Sequence, residues 1–298
     1  MNAPNERKSR LGPGFAIVLA FCVFAAGLVL AFLVDPGLFG DPEVRAIERK
    51  KAANLARASL NLPLPGTPDF AGLGGRLAAL NLTLGAPVLI RIFKREFELE
   101  LWIARDGAFH KFATYPICRW SGRLGPKFST GDRQAPEGFY TVDNDQMNPK
   151  SHWHRSFNLG FPNAFDQAHG RTGSALMVHG GCSSAGCYAM TNAVIDEIWQ
   201  LTRAAFSGKQ KRFQVQVYPF RMTDEVLAEH AESPHIGFWR NLKQGSELFE
   251  QTSVPPVVTA CGNSYRFSPG TSTESASTLI ADCATPRLSE RVRAKKAL

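Results

Sequence analysis

The densest chemistry in the chain lies between Met177 and Thr191, where His179, Cys182, Ser183, Ser184 and Cys187 are interleaved with Gly180, Gly181 and Gly186. A thiol reacts as its thiolate, so a cysteine that does chemistry needs a proton acceptor; an imidazole fills that role near neutral pH. His179 and Cys187 therefore read as a base and nucleophile pair for acyl transfer, with backbone N–H groups around Gly186 and Cys187 placed to hold an oxyanion. A helix starting just after the cysteine would favour the thiolate further, and a thiol so paired should react with thiol reagents below the pH at which a free cysteine does.

The same spacing admits two other readings. His179, Cys182 and Cys187 are types that bind zinc, although there is no Cys-x-x-Cys knuckle and no evident fourth ligand. Alternatively, Cys182 and Cys187 form a disulfide and the glycines only turn the chain. Spacing alone does not choose among the three.

His179-Gly180, Ser184-x-Gly186-Cys187 and Tyr188-Ala189-Met190 resemble the active-site signature of the L,D-transpeptidase catalytic (YkuD) domain family, in its YafK-like branch. Ala135-Pro136-Glu137-Gly138-Phe139-Tyr140, Asn158 to Asn163 and His169-Gly170-Arg171-Thr172-Gly173 resemble further segments in the same order, so the likeness covers residues 85–220. It implies a mainly β or α+β fold, a YkuD-like β-sandwich with a helix after the cysteine. It also implies that Cys187 forms an acyl-enzyme at a meso-diaminopimelate centre of peptidoglycan stem peptides, with His179 as base and no metal or organic cofactor. The acyl group then goes to an amine, or to water in a hydrolase that releases a peptide or a wall-linked lipoprotein; a wall-binding protein without turnover is the reading from another class. Many members carry a second histidine two positions before the cysteine, where this chain has Ala185, so His179 is left as the base. Around the pair, Gly186, Ser184, Gly180, Tyr188 and Arg171 are the candidates for oxyanion or substrate binding. Arg171 binds a carboxylate through its planar fork or braces a loop, and Tyr188 lines the pocket or is a buried aromatic. Cys182 packs or pairs, and His169 is structural. His110, His152, His154, His230 and His235 join no constellation.

These residues need elements to hold them. Val88, Ile90 and Ile92 alternate, Lys94-Arg95 turns, and Phe97, Leu99 and Leu101 alternate with Glu96, Glu98 and Glu100, which predicts a β-hairpin. Phe109 to Cys118, Gly138 to Val142 and Phe213 to Tyr218 predict further strands, with a Gly- and Pro-containing loop from Ser121 to Glu137. Thr191 caps a helix through Val194, Ile195, Ile198 and Leu201 to Phe206. Past Tyr218, helices are expected from Thr223 to Ala231 and from Phe238 to Leu248, a short strand at Val257 to Ala260, and an exposed loop from Ser268 to Thr278.

Leu11 to Val34 carries no charge and is long enough to span a bilayer, which takes roughly 20 apolar residues. Arg7, Lys8 and Arg10 precede it and Asp35, Asp41 and Glu43 follow, an arrangement that keeps residues 1–10 cytoplasmic, makes 11–34 a signal anchor and puts the rest outside. A cleaved signal peptide is the rival reading. Combined with the resemblance, this gives a single-pass inner-membrane protein whose catalytic domain faces the periplasm. Asp41-Pro42-Glu43 starts a helical stalk within 35–84, whose Leu-, Pro- and Gly-rich end reads as a loose linker; 85–221 is the catalytic domain and 222–298 a C-terminal extension. The net charge of +8 is spread along the chain, with dense clusters only at 45–57 and 286–296 and no nucleic-acid motif. Arg287 to Lys296 reads as a solvated tail or final helix. Cys22 is a hydrophobe of the span, and Cys261 and Cys283 can pair in an oxidising compartment.

Overall fold

The computed structural model describes residues 41–277 and 281–283, so the expected span at 11–34 and the basic tail at 287–296 lie outside the described residues. Among the described residues no helix is long and apolar enough to cross a membrane. The chain divides into two compact units, Met1–Lys50 and Lys51–Leu298.

Helix α1, Pro42–Ser59, starts where Asp41 accepts the Glu43 amide at 2.8 Å. Its later residues are docked, contrary to a free stalk. Lys51 and Asn54 are buried, Lys51 donates to the Gly122 carbonyl at 3.0 Å and lies 4.1 Å over the Trp120 ring, and Asn54 donates to the Ile117 carbonyl at 3.1 Å. The following segment is also tied down rather than loose. Leu64, Leu77 and Leu82 are buried, and Arg76 of helix α2, Leu73–Ala79, pairs with Glu197 at 2.7 Å. Leucines set among prolines and glycines carry no periodicity, so the sequence does not disclose the surface they cover.

Strand β1, Val88–Phe93, turns at Lys94 into β2, Glu98–Arg105, and β2 pairs with β3, Ala108–Pro116. The short strand β4, Arg119–Trp120, precedes the long loop to β5, Gly138–Asp143. Strands β6, Met147–Ser151, and β7, His154–Asn158, form a second hairpin, followed by the short helix α3, Ala164–Ala168. The glycine- and cysteine-rich segment 177–191 supplies β8, Met177–His179, and β9, Tyr188–Ala189; helix α4, Asn192–Ser207, is capped by Thr191, and β10, Arg212–Tyr218, follows. Helices α5, Asp224–Glu229, and α6, Ile236–Thr252, then strands β11, Val257–Cys261, β12, Ser264–Ser268, and β13, Ala281–Asp282, complete the described chain.

The strands make a mixed α/β architecture of three sheets. The first runs β3-β2-β1-β10-β5, the second β4-β9-β8-β7-β6 and the third β12-β11-β13. In the first, β1 and β10 are parallel and central, which explains why all of Val88–Phe93 is buried instead of alternating. Phe157 of the second sheet meets Phe213 of the first edge-on at 5.5 Å.

Residues past 221 share a core with the strands before them. Tyr218, Phe220, Leu227, Trp239, Leu242, Val258 and Tyr265 pack with Phe93, Phe139 and Phe165 in one cluster. Buried Arg91 of β1 bonds Glu250 and Ser246 of α6 at 2.6 and 3.0 Å. The expected exposed loop at 268–278 instead holds a short 3-10 turn, Thr273–Ser277, with Ser275 and Ala276 buried and Ala276 packed against Leu89 and Phe109. Cys261 and Cys283 are disulfide-bonded.

Candidate active site

Strands β8 and β9 run parallel in the register Val178 to Tyr188 and His179 to Ala189. His179 of β8 stands beside Ala189 of β9, and Cys187 lies two residues before Ala189, at the bend that enters β9. Cys187 is half-buried and is the one free cysteine among the described residues. Its Sγ accepts the Met177 amide at 3.4 Å and faces the Ala175 carbonyl at 3.7 Å. His179 is 2% exposed, and its Nδ1 lies 2.5 Å from the Gly180 carbonyl. A carbonyl only accepts, so Nδ1 carries the hydrogen and Nε2 is left as the basic nitrogen.

Burial raises the Cys187 thiol above its ordinary range, against the Met177 amide and the charge of Lys127. Burial likewise lowers His179, against the Gly180 carbonyl. Both shifts favour the neutral form of each group. The helix expected just after the cysteine begins at Asn192, with β9 between it and Cys187.

Ser184 braces the turn into the nucleophile. Its hydroxyl donates to the Cys187 carbonyl at 2.7 Å, accepts the amides of Cys187 and Gly186 at 3.1 and 3.4 Å, and meets Ser121 Oγ at 3.0 Å. The two amides expected to face an oxyanion are thus occupied by Ser184. Gly186 has φ +132 and Leu176 close by, a conformation that L side chains rarely adopt. At Gly180 an added Cβ would lie 2.6 Å from Asn192 Oδ1, so the chain passes too tightly there for any side chain.

Tyr188 is fully buried with its hydroxyl donating to the Pro136 carbonyl at 2.6 Å; it is the buried aromatic and does not line a pocket. Arg171 is a brace. It is 7% exposed, bonds Asp166 at 2.8 Å, and lies 5.1 Å from both the Phe165 and Phe238 rings, so its fork is not presented to a substrate. His169 turns Nδ1 to the Phe165 carbonyl of its own helix.

Cys182 is joined to Cys118, which removes both the Cys182–Cys187 disulfide and the three-ligand zinc set from the readings. Leu64 packs on this bridge. Among the described residues no group of three or more His, Cys, Asp or Glu is placed to hold a metal.

Three residues escaped sequence reasoning. Ser156 pairs with His179 across the antiparallel β7–β8 ladder, and its buried hydroxyl has no hydrogen-bond partner. Trp153, at the tip of the β6–β7 hairpin, lies 6.0 Å from the His179 ring at an interplanar angle of 31°. Lys94 is fully buried and donates to the carbonyls of Arg123, Gly125 and Ala135 and to Glu137, fixing the loop beside Ser184. Burial lowers the Lys94 pKa, with Glu137 opposing. Two clefts of about 500 and 660 Å³ run along α4 and include neither Cys187 nor His179.

Residues 98–218 match the family model described as the L,D-transpeptidase catalytic domain (YkuD). The protein YafK of Escherichia coli (strain K12), which carries an L,D-transpeptidase name, is 47% identical over 182 residues, 61% of this chain and 74% of that protein. Its counterpart in Escherichia coli O157:H7 gives the same figures. Among solved structures, the helical cell shape determining protein Pgp2 from Campylobacter jejuni aligns at 21% identity and a TM-score of 0.37, covering 50% of this chain and 55% of that one. Bd1075 of Bdellovibrio bacteriovorus aligns at 18% identity and a TM-score of 0.32, covering 56% and 58%.

Proposed function

The chain belongs to the L,D-transpeptidase catalytic-domain (YkuD) family, and on that premise we propose that it remodels peptidoglycan through a thioester on Cys187. The observation that carries the reading is that Cys187, the one free thiol among the described residues, takes the amide of Met177 on the same short strand as His179, whose Nδ1 faces the Gly180 carbonyl and leaves Nε2 as the basic nitrogen. Cys187 Sγ attacks a stem-peptide carbonyl at a meso-diaminopimelate centre while its proton passes to His179 Nε2. The carbon–nitrogen bond then breaks, and the proton goes from Nε2 to the leaving amine. An incoming amine gives its proton to Nε2 as it attacks the thioester, the carbon–sulfur bond breaks, and the proton returns to Sγ. Burial disfavours charge on both groups, in keeping with a proton that moves from Sγ to Nε2 as the carbonyl is attacked.

The uncharged run at Leu11 to Val34 and the two disulfides support an inner-membrane anchor with the enzyme on the oxidising, periplasmic side. Incubation with muropeptides, followed by mass spectrometry, tests the function. New cross-links appear with the wild type and disappear with Cys187→Ala. Shortened or released peptides in their place would make the enzyme a hydrolase, and unchanged products with Cys187→Ala would remove the thioester altogether.

A further inference from the structure

Trp153 is 43% exposed, yet it is not a loose surface side chain. Its amide donates to Ser151 Oγ at 3.2 Å, and the next residue, His154, bonds Asp196 of α4 at 2.8 Å, with Arg155 on the same carboxylate at 3.1 Å. An added Cβ at Gly181 would stand 2.9 Å from Trp153 Cε3, so the indole needs glycine at that position. His152 packs edge-on against the indole at 5.1 Å. The hairpin tip is therefore anchored so that one part of the indole lies beside the His179 ring and the rest faces solvent. An indole held half-exposed beside a buried base is a contact surface for whatever approaches that base.

The occupant follows from what His179 handles. The proton exchanged at Nε2 belongs to an amine, leaving in the first half-reaction and arriving in the second. That nitrogen must come within about 3 Å of Nε2 to exchange it. With the indole centroid 6.0 Å from that of the imidazole, an alkyl chain on that nitrogen has Trp153 within reach. An indole face takes an aliphatic chain by apolar contact and a cationic group at its far end through the ring quadrupole. It offers little to water or to an amine without a chain.

We propose that Trp153 is the specificity-determining contact for the amine component, favouring a primary amine carried on an alkyl chain over water at the Cys187 thioester. The inference rests on the acyl-enzyme reading above. In the second half-reaction the amine nitrogen attacks the thioester carbon, its proton goes to His179 Nε2, the carbon–sulfur bond breaks, and Sγ takes the proton back.

The test uses the full chain loaded with muropeptide donor, with 1,5-diaminopentane and hydroxylamine as alternative acceptors. Intact-mass measurement reads the Cys187 adduct, and product analysis reads transfer against hydrolysis. In Trp153→Ala the adduct still forms on Cys187, while KM for 1,5-diaminopentane rises about tenfold, hydroxylamine is unaffected and hydrolysis gains. Trp153→Phe recovers most of the loss. With less cover over His179, the acid limb of the Trp153→Ala profile moves to higher pH. An unchanged KM for the diamine, or an equal loss with both acceptors, overturns the inference while the adduct still supports the thioester. Absence of any adduct on wild-type Cys187 overturns the acyl-enzyme reading and this inference with it. Thermal unfolding of both variants checks that the hairpin remains folded.

Discussion

Trp239 donates its indole N–H to Glu137 Oε2 at 2.8 Å, deep in the protein, while the other oxygen of the same carboxylate accepts from Lys94 at 2.9 Å and from the Gly125 amide at 2.7 Å. Helix α6 thereby reaches the loop whose Ser121 touches Ser184 and whose Pro136 holds Tyr188. The region after Phe220 is thus joined by contacts through this carboxylate to the loop that touches Ser184 and Tyr188.

Substituting Glu137→Gln leaves the Lys94 ammonium buried without its counter-charge. Breaking a buried pair in this way costs about 3–5 kcal/mol. Trp239→Phe loses the N–H to Glu137, about 1–3 kcal/mol, and the pyrrole half of a buried indole, whose cavity adds to that loss. Urea denaturation of both variants should show losses of this size, and small losses in both would deny the loop its buried anchor.

Removing residues 222–298 strips Trp239, Leu242, Val258 and Tyr265 from the cluster that contains Phe93, Phe139 and Phe165. A fragment ending at Arg221 is expected to be aggregated or unfolded, as judged by light scattering and near-UV circular dichroism. A soluble, active fragment would mean that the later residues are an accessory.

The pH behaviour follows from burial. His179 works as a base only when neutral, and its pKa is lowered by desolvation, so kcat/KM persists to a lower pH than an exposed imidazole would allow. Burial raises the thiol, so Cys187 in the free enzyme reacts with iodoacetamide only at higher pH than an exposed cysteine does, the reverse of what a simple thiolate–imidazolium pair predicts. Alkylation rate against pH, with the Cys187→Ala variant as blank, measures this directly. A plateau near neutral pH would show a preformed thiolate.

Ser156→Ala is expected to keep activity and raise unfolding stability by about 1 kcal/mol, because it removes a buried hydroxyl that has no partner among the described residues. A fall in kcat with unchanged stability would assign that hydroxyl to the positioning of His179.

Legibility followed element length and chain distance. The β1–β2 hairpin could be read from alternation, and α4 from Thr191 and its apolar stripe, because each spans enough residues to show a period. The strands that hold His179 and frame Cys187 are three and two residues long, with glycines between them, and show none; only the order of chemical groups marked them. Cys118 and Cys182 stand 64 positions apart, and spacing does not reveal connectivity at that range. A lone tryptophan among the polar residues of β6 and β7 has no pattern to belong to, so Trp153 became visible only through the fold that carries it to His179.

The Cys118–Cys182 bond ties the turn between base and nucleophile to the end of β3 and closes a 64-residue loop. Chain entropy alone makes such a loop worth about 4 kcal/mol, against a total margin of about 5–15 kcal/mol for a typical domain. A copy held among reducing thiols is therefore the less durable one, exposed longer to proteases before any substrate is met. Oxidation acts on this chain as a licence granted in advance and specific to place, so that the fold around Cys187 reaches full strength only where the Cys118–Cys182 bond can form and persist.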